Sequence, residues 1–392
     1  MKLLLLLLAL PMFCFGQNVN IPDANFKAYL VGNTAINTNG DTEIQVSEAS
    51  VFNSYIVVYT LNITDLTGIE AFVSLTVLYC HDNQLTSLDV SACTALTGLY
   101  CHDNQLTSLN VSACTALGTL GCNNNQLTSL DVSTCTALDG LYCANNNLTS
   151  LDVSTCTVLT DLSCFNNNLT SLNLSTCAAL EMLDCSNNQL TSLNVSNGIA
   201  LTDLYCYDNQ LTSLDLSICT ALTDLECYNN NLTSLDVSIC TALTDLYCYD
   251  NQLTSLNVKN GNNINMDLNA STNPNLSCIE VDNVAWSNAI WADDIDATAS
   301  FSLNCSGAGI SGINESNTLM LYPNPTNGDF TITGLDLVEI VSSLTLTDMN
   351  GKVVKVLDAK ATKFSMGSIN PGVYFLNVIS GNKQEVLKIV KE

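Results

Sequence analysis

Leucine recurs along the middle of the chain with a beat that suits neither an amphipathic helix nor a long strand. From Leu75 to Leu88, apolar side chains stand at Leu75, Leu78, Cys80, Leu85 and Leu88, Asn83 is fixed between them, and mostly polar residues fill the gaps. The pattern returns every 21 residues without insertion, so that Cys80 is followed by Cys101, Cys122, Cys143, Cys164, Cys185, Cys206, Cys227 and Cys248. Leu78 and Cys80 alternate with their neighbours, which predicts a short strand with one buried face. Successive turns then pair in parallel at roughly 4.8 Å, identical side chains form columns, and the stacked turns span about 40 Å. Asn83, Asn104 and their counterparts down to Asn251 form one column. Their amides are expected to satisfy backbone groups where the chain turns out of the strand. Leu88 and Val90 repeat the alternation, so a second short strand is expected on the opposite side of each turn.

The template L-x-x-L-x-C-x-x-N-x-L-x-x-L resembles the leucine-rich repeat, with cysteine in a slot usually held by leucine, and is most similar to bacterial internalin-type arrays. The resemblance implies a leucine-rich-repeat solenoid with parallel strands on its concave face and little helix. The cysteines read as a packing ladder, since a free cysteine behaves as a small buried hydrophobe. Disulfides between rungs are the rival reading for an exported protein, but parallel stacking points the side chains the wrong way for the required dihedral. A metal column would need converging ligands rather than a straight row. Cys93, Cys114, Cys135, Cys156, Cys177, Cys219 and Cys240 form a second column, interrupted by Gly198 and Gly261, and read as packing too.

The ends differ from the middle. Lys2, the apolar run Leu3 to Leu10, and the small residues Cys14 and Gly16 before Gln17 read as an export signal over residues 1–16. That run is too short to span a membrane, and no other segment reads as transmembrane. An N-terminal cap is expected over 17–55, the array over 56–261, a C-terminal cap over 262–306 and a Gly/Ser-rich linker over 307–317. Trp286 and Trp291 are expected to cover the last rung. Cys278 and Cys305 fall outside both ladders and are candidates for a disulfide. From residue 318 to 392, short apolar runs separated by Gly, Asn and Pro turns predict a small β-sandwich. The residues Tyr322-Pro323-Asn324-Pro325, Gly328, Gly351-Lys352, Pro371-Gly372, Tyr374 and Lys388-Ile389-Val390-Lys391 resemble the C-terminal sorting domain of the Bacteroidota type IX secretion system. That resemblance implies carriage by the secretion machinery across the outer membrane, then removal of the tail, and a secreted or surface location.

Charge narrows the partners. The chain carries 37 acids against 10 bases, a formal charge of −27, and has no lysine or arginine between Lys27 and Lys259. Such a surface repels phosphate and argues against nucleic acid. No nucleophile elbow, phosphate loop or zinc-protease motif occurs, so an enzyme is not expected, although acid pairs on the concave face leave a glycosidase-like pair open. The segment "NTNGDTEIQVSE" resembles an EF-hand loop, with Asn37, Asn39, Asp41, Glu43 and Glu48 at ligand places, while two neutral asparagines and Thr42 in the glycine place weaken it. Calcium is the one cofactor this raises, beside the reading of a capping turn before a short helix. His81 and His102 sit on adjacent rungs, where a bridging metal competes with simple repeat duplication. The concave columns are uneven. Asp203, Tyr205, Tyr207, Asp224, Glu226, Tyr228, Asp245, Tyr247 and Tyr249 gather on the last rungs and are the candidate contacts for a protein or carbohydrate ligand. An adhesin-like binding protein is the expected function, a structural surface spacer the alternative.

Overall fold

The computed structural model describes residues 17–305 and, beyond them, 320–322, 324–333, 341–349, 351–358, 361, 363–380 and 383–392. It divides into two units, Met1–Ser306 and Gly307–Glu392. The expected export signal and linker lie outside the described residues.

The first unit is a solenoid. Its main sheet has eleven parallel strands of three residues each, running from Tyr55–Val57 and Val77–Tyr79 through Asp245–Tyr247 to Asp267–Asn269. Leu78 pairs with Leu99, Leu99 with Leu120, and so along the array to Leu246. Each strand is short because the chain turns soon after the cysteine. Asp82, Asp103, Asn124 and their counterparts take a left-handed φ near +50° there, which Asp and Asn tolerate better than other side chains with a Cβ. Next to them, the asparagine column bridges rungs. The amide of Asn104 donates to Cys80 O at 3.0 Å and Cys101 O at 3.1 Å, and its carbonyl accepts from Leu85 N at 2.9 Å. The same set recurs at Asn146 and at Asn251.

The interior holds leucine, valine and cysteine, almost all fully buried. The ladder thiols from Cys80 to Cys248, and those of the second column, are free and buried. The second column packs its sulfur against backbone of the rung before, as where Cys114 Sγ lies 3.8 Å from Val90 O. On the far side of each turn, single parallel bridges join Asp89, Asn110, Asp131, Asp152 and Asn173 in the early rungs. In the late rungs they widen into a four-stranded parallel sheet of Ser234–Asp236, Ser255–Asn257, Cys278–Glu280 and Ser300–Ser302.

Caps cover both ends. The helix Ala24–Gly32 buries Phe26 and Leu30 and starts at Asp23, whose carboxylate accepts from Asn25 N and Phe26 N with one oxygen and from Thr64 N with the other. At the other end Trp291 is buried, donates to Met266 O at 3.3 Å and meets Trp286 edge-on. Cys278 and Cys305 form a disulfide with Cα atoms 5.8 Å apart.

The second unit has two antiparallel sheets. One orders Met320–Tyr322, Asp329–Thr333 and Lys363–Ser365; the other orders Val353–Val356, Val341–Thr347, Gly372–Ser380 and Lys383–Lys391. Phe330, Ile332, Leu344, Leu346, Leu376 and Ile389 are buried in its core.

Candidate binding face

From Met182–Asp184 to Asp267–Asn269 the central leucine of each strand is buried and both residues beside it reach the open face of the main sheet, as in the half-buried, buried, half-buried pattern of Asp203–Tyr205. Register puts Asp203, Asp224, Asp245 and Asp267 in one column. Asp184, Tyr205, Glu226, Tyr247 and Asn269 make the next. Two residues further along each rung, Tyr207, Tyr228 and Tyr249 stack face to face, with ring centroids 4.5 and 4.4 Å apart and planes 8° and 7° from parallel. Rung spacing imposes this, since each ring sits one strand from the next.

The first two columns are cross-linked. Tyr205 donates its hydroxyl to Asp224 Oδ2 at 2.8 Å, and Tyr247 donates to Asp267 Oδ2 at 2.6 Å. Asp224 Oδ1 is buried with no hydrogen-bond partner among the described residues. Burial, together with Asp245 and Asp203 nearby, raises the Asp224 pKa even though the Tyr205 bond opposes the rise. Glu226 is raised by burial and then by Asp224, Asp184 and Asp245. Tyr205 is raised by burial and by its bond to Asp224, and Tyr247 first by its bond to Asp267. All nine residues expected from the sequence therefore lie on one face over adjacent rungs.

A model of leucine-rich repeats matches residues 73–114, and a model of the secretion system C-terminal sorting domain matches residues 320–392. Among solved structures the chain is similar to the functional domain of InlJ from Listeria monocytogenes, which includes a cysteine ladder. The identity is 25%, the match covers 96% of this chain and 99% of that one, and the TM-score is 0.54. The chain is a leucine-rich-repeat protein with a secretion sorting domain. It is also similar to internalin C2 of Listeria monocytogenes, with 20% identity over 53% of this chain and 95% of that one at a TM-score of 0.48. The leucine-rich effector YopM of Yersinia pestis gives 22% identity over 67% and 80% at a TM-score of 0.48. No curated protein sequence matches the chain. The type IX sorting domain carries this leucine-rich-repeat protein to the cell surface or outside. No helix among the described residues is long and apolar enough to cross a membrane.

The main sheet has two more rungs than the cysteines mark, Tyr55–Val57 before them, with buried Val58 in the cysteine slot, and one after them. Asp267-Leu268-Asn269-Ala270, with Asn273 after it, repeats the strand and the asparagine contacts, and Asn273 donates to Cys248 O at 3.1 Å. It adds Asp267 to the face. Alanine in the cysteine slot and one extra residue of spacing hid it; tolerance of both in the repeat template would have found it.

At the other end of the sheet Tyr59, His81 and His102 stack at 4.6 and 4.3 Å, and each histidine Nδ1 lies 2.8 Å from the carboxylate of the following aspartate. The ligand atoms of His81, Asp82 and His102 all lie within 4.8 Å of one another. In the EF-hand-like loop, Glu48 accepts from Thr38 N and Asn39 N with one oxygen and from Gln45 N with the other, which caps the short helix Val46–Ala49. Glu43 pairs with Lys27 at 2.7 Å, Asn37 donates to Val31 O and Asp41 O, and Asn39 donates to Asp41 and Gln45. The loop's polar atoms thus serve one another and the cap.

Proposed function

We propose that this is an exported or cell-surface binding protein, adhesin-like, that takes a protein or glycan ligand on the concave sheet around Tyr205 to Asp250, after passage through the type IX machinery. One observation carries the reading: three tyrosines stacked on adjacent rungs, beside carboxylates that no cation neutralises among the described residues. Half-buried aromatic rings held on a rigid lattice lower the ordering cost of association. Two of the acids, Asp224 and Asp267, accept from tyrosine hydroxyls, and Asp203 and Asp245 accept from the threonine before each, which suits recognition rather than turnover.

The test is a binding screen of the mature protein against proteins and oligosaccharides, with a check for glycan cleavage, followed by replacement of Tyr207, Tyr228 and Tyr249 together by alanine. Anchors cost about 2 kcal/mol or more each on truncation, so the triple variant should lose several orders of magnitude in affinity while melting as a folded array. An unchanged dissociation constant in that folded variant would move the site elsewhere, and cleavage of a bound glycan would replace binding by catalysis.

A further inference from the structure

The stacked geometry separates the two ligand classes. A sugar ring packs its C–H face flat on an open aromatic face. In the Tyr207–Tyr228–Tyr249 stack, both faces of Tyr228 and one face of each neighbour are covered by another ring at 4.4–4.5 Å. Of the six ring faces the stack leaves only the two at its ends, so along its length it offers ring edges and hydroxyl oxygens. An aromatic edge is the positive part of the ring quadrupole, and a phenol oxygen is an acceptor. Beside the stack run Asp203, Asp224, Asp245 and Asp267 in one column and Asp184 and Glu226 in the next. No described lysine pairs with any of them. Between Lys27 and Lys259 the sequence supplies none. The buried Asp224 Oδ1 has no hydrogen-bond donor among the described residues.

Resting on the concave-face reading above, we infer that the partner is a protein segment presenting lysine or arginine side chains, whose N–H groups enter the aspartate column and the row of tyrosine hydroxyls. Charge complementarity argues for it: a surface whose acceptors outnumber its donors, inside a chain of formal charge −27, is completed by a polybasic one. Guanidinium groups suit the site best, because their planar fork bonds two carboxylate oxygens at once. Burial and mutual repulsion already raise Asp224 and Glu226, and an arriving cation relieves that repulsion.

The test compares two variants of equal charge change in the full secreted chain. One carries Asp203→Asn, Asp224→Asn and Asp245→Asn on the concave face. The other carries Asp131→Asn, Asp152→Asn and Asp215→Asn on the opposite side of the turns, where Asn110 and Asn173 already occupy equivalent positions. The probes are oligoarginine and oligolysine peptides, an oligoglutamine peptide of the same length and a set of neutral oligosaccharides. Binding of the basic peptides should weaken at least about tenfold in the concave variant, barely change in the other, and fall steeply as salt rises. Glu226→Gln alone provides a second, milder variant with the same expected direction, and circular-dichroism melts verify that each chain is folded. Equal weakening in both triple variants would overturn the inference, because net charge alone would then explain the attraction. A chain that ignores basic peptides but binds an oligosaccharide through Tyr207, Tyr228 and Tyr249 would also overturn it while leaving the concave site standing. A ligand whose binding survives every concave variant would instead remove the concave site itself.

Discussion

At the residue scale, two neighbouring positions do most to define each turn. The asparagine after the strand meets acceptors and a donor from two rungs at once, which no apolar side chain of similar size replaces. Asn146 donates to Cys122 O, Cys143 O and Ala144 O and accepts from Leu127 N. Asn146→Leu leaves these groups buried and unsatisfied, at about 1–3 kcal/mol each before relaxation, so chemical denaturation should show a loss of roughly 3 kcal/mol or more. The residue before it, Asn145, sits at φ +53°. Asn145→Gly should be close to neutral in the same measurement, and Asn145→Val should cost about 1–2 kcal/mol, because a β-branched side chain resists that conformation. The asparagine column was legible in the sequence from Asn83 to Asn251 because its spacing there never varies. The left-handed column was written there too, as Asp or Asn two residues after every ladder cysteine, but an Asp/Asn alternation reads as surface drift until the backbone angle is known.

At the element scale, the rung is the unit of both stability and surface. Its interior could be read from the chain because stacking demands the same residue in each copy: Leu78 over Leu99 over Leu120 leaves no room for variation in volume. The ladder thiols are expected to stay reduced and to resist alkylation under native conditions, with labelling by mass spectrometry appearing only after denaturation; cross-rung disulfides would contradict the packing account. The outer columns were legible as positions and only in part as contacts. Tyr207 against Tyr228 follows from like residues forming a column, but nothing in the order of residues says that Tyr205 reaches forward to Asp224, since that depends on a rotamer chosen by the neighbouring rung. The last rung escaped notice for a packing reason. Ala270 is fully buried where a cysteine would stand, and its N–H donates to Asp294 O of the cap at 2.9 Å.

At the scale of the whole molecule, the buried thiols link stability to alkaline pH. Burial pushes Cys101, Cys206 and Cys248 up to about 12, and Cys114 and Cys219 up to about 11. A raised thiol contributes its full stability below the value of the unfolded chain and loses it as pH climbs toward the folded value. Each thiol then costs about 1.4 kcal/mol per pH unit in that window. With so many thiols acting together, the melting temperature should hold to about pH 9 and then collapse within roughly one further unit, and replacing several ladder cysteines by alanine should flatten that edge while lowering stability at neutral pH. The sorting domain has its own core, so a chain ending before residue 318 should still fold but remain inside the outer membrane, as surface labelling of cells would report. The caps secure the ends through single carboxylates, Asp23 on Thr64 and Asp296 on Thr272 and Asn273, and leave the turns between them interchangeable. Interchangeable turns let the protein grow by copying. Replication slippage between near-identical segments can add or remove a whole 21-residue unit without rewriting either end. A gene carrying one extra copy of residues 141–161 should yield a folded chain about 4.8 Å longer by small-angle scattering. Array length is then inherited in steps, and each new copy arrives with the concave side chains of the rung it duplicates, a spare set on which selection can write a different specificity.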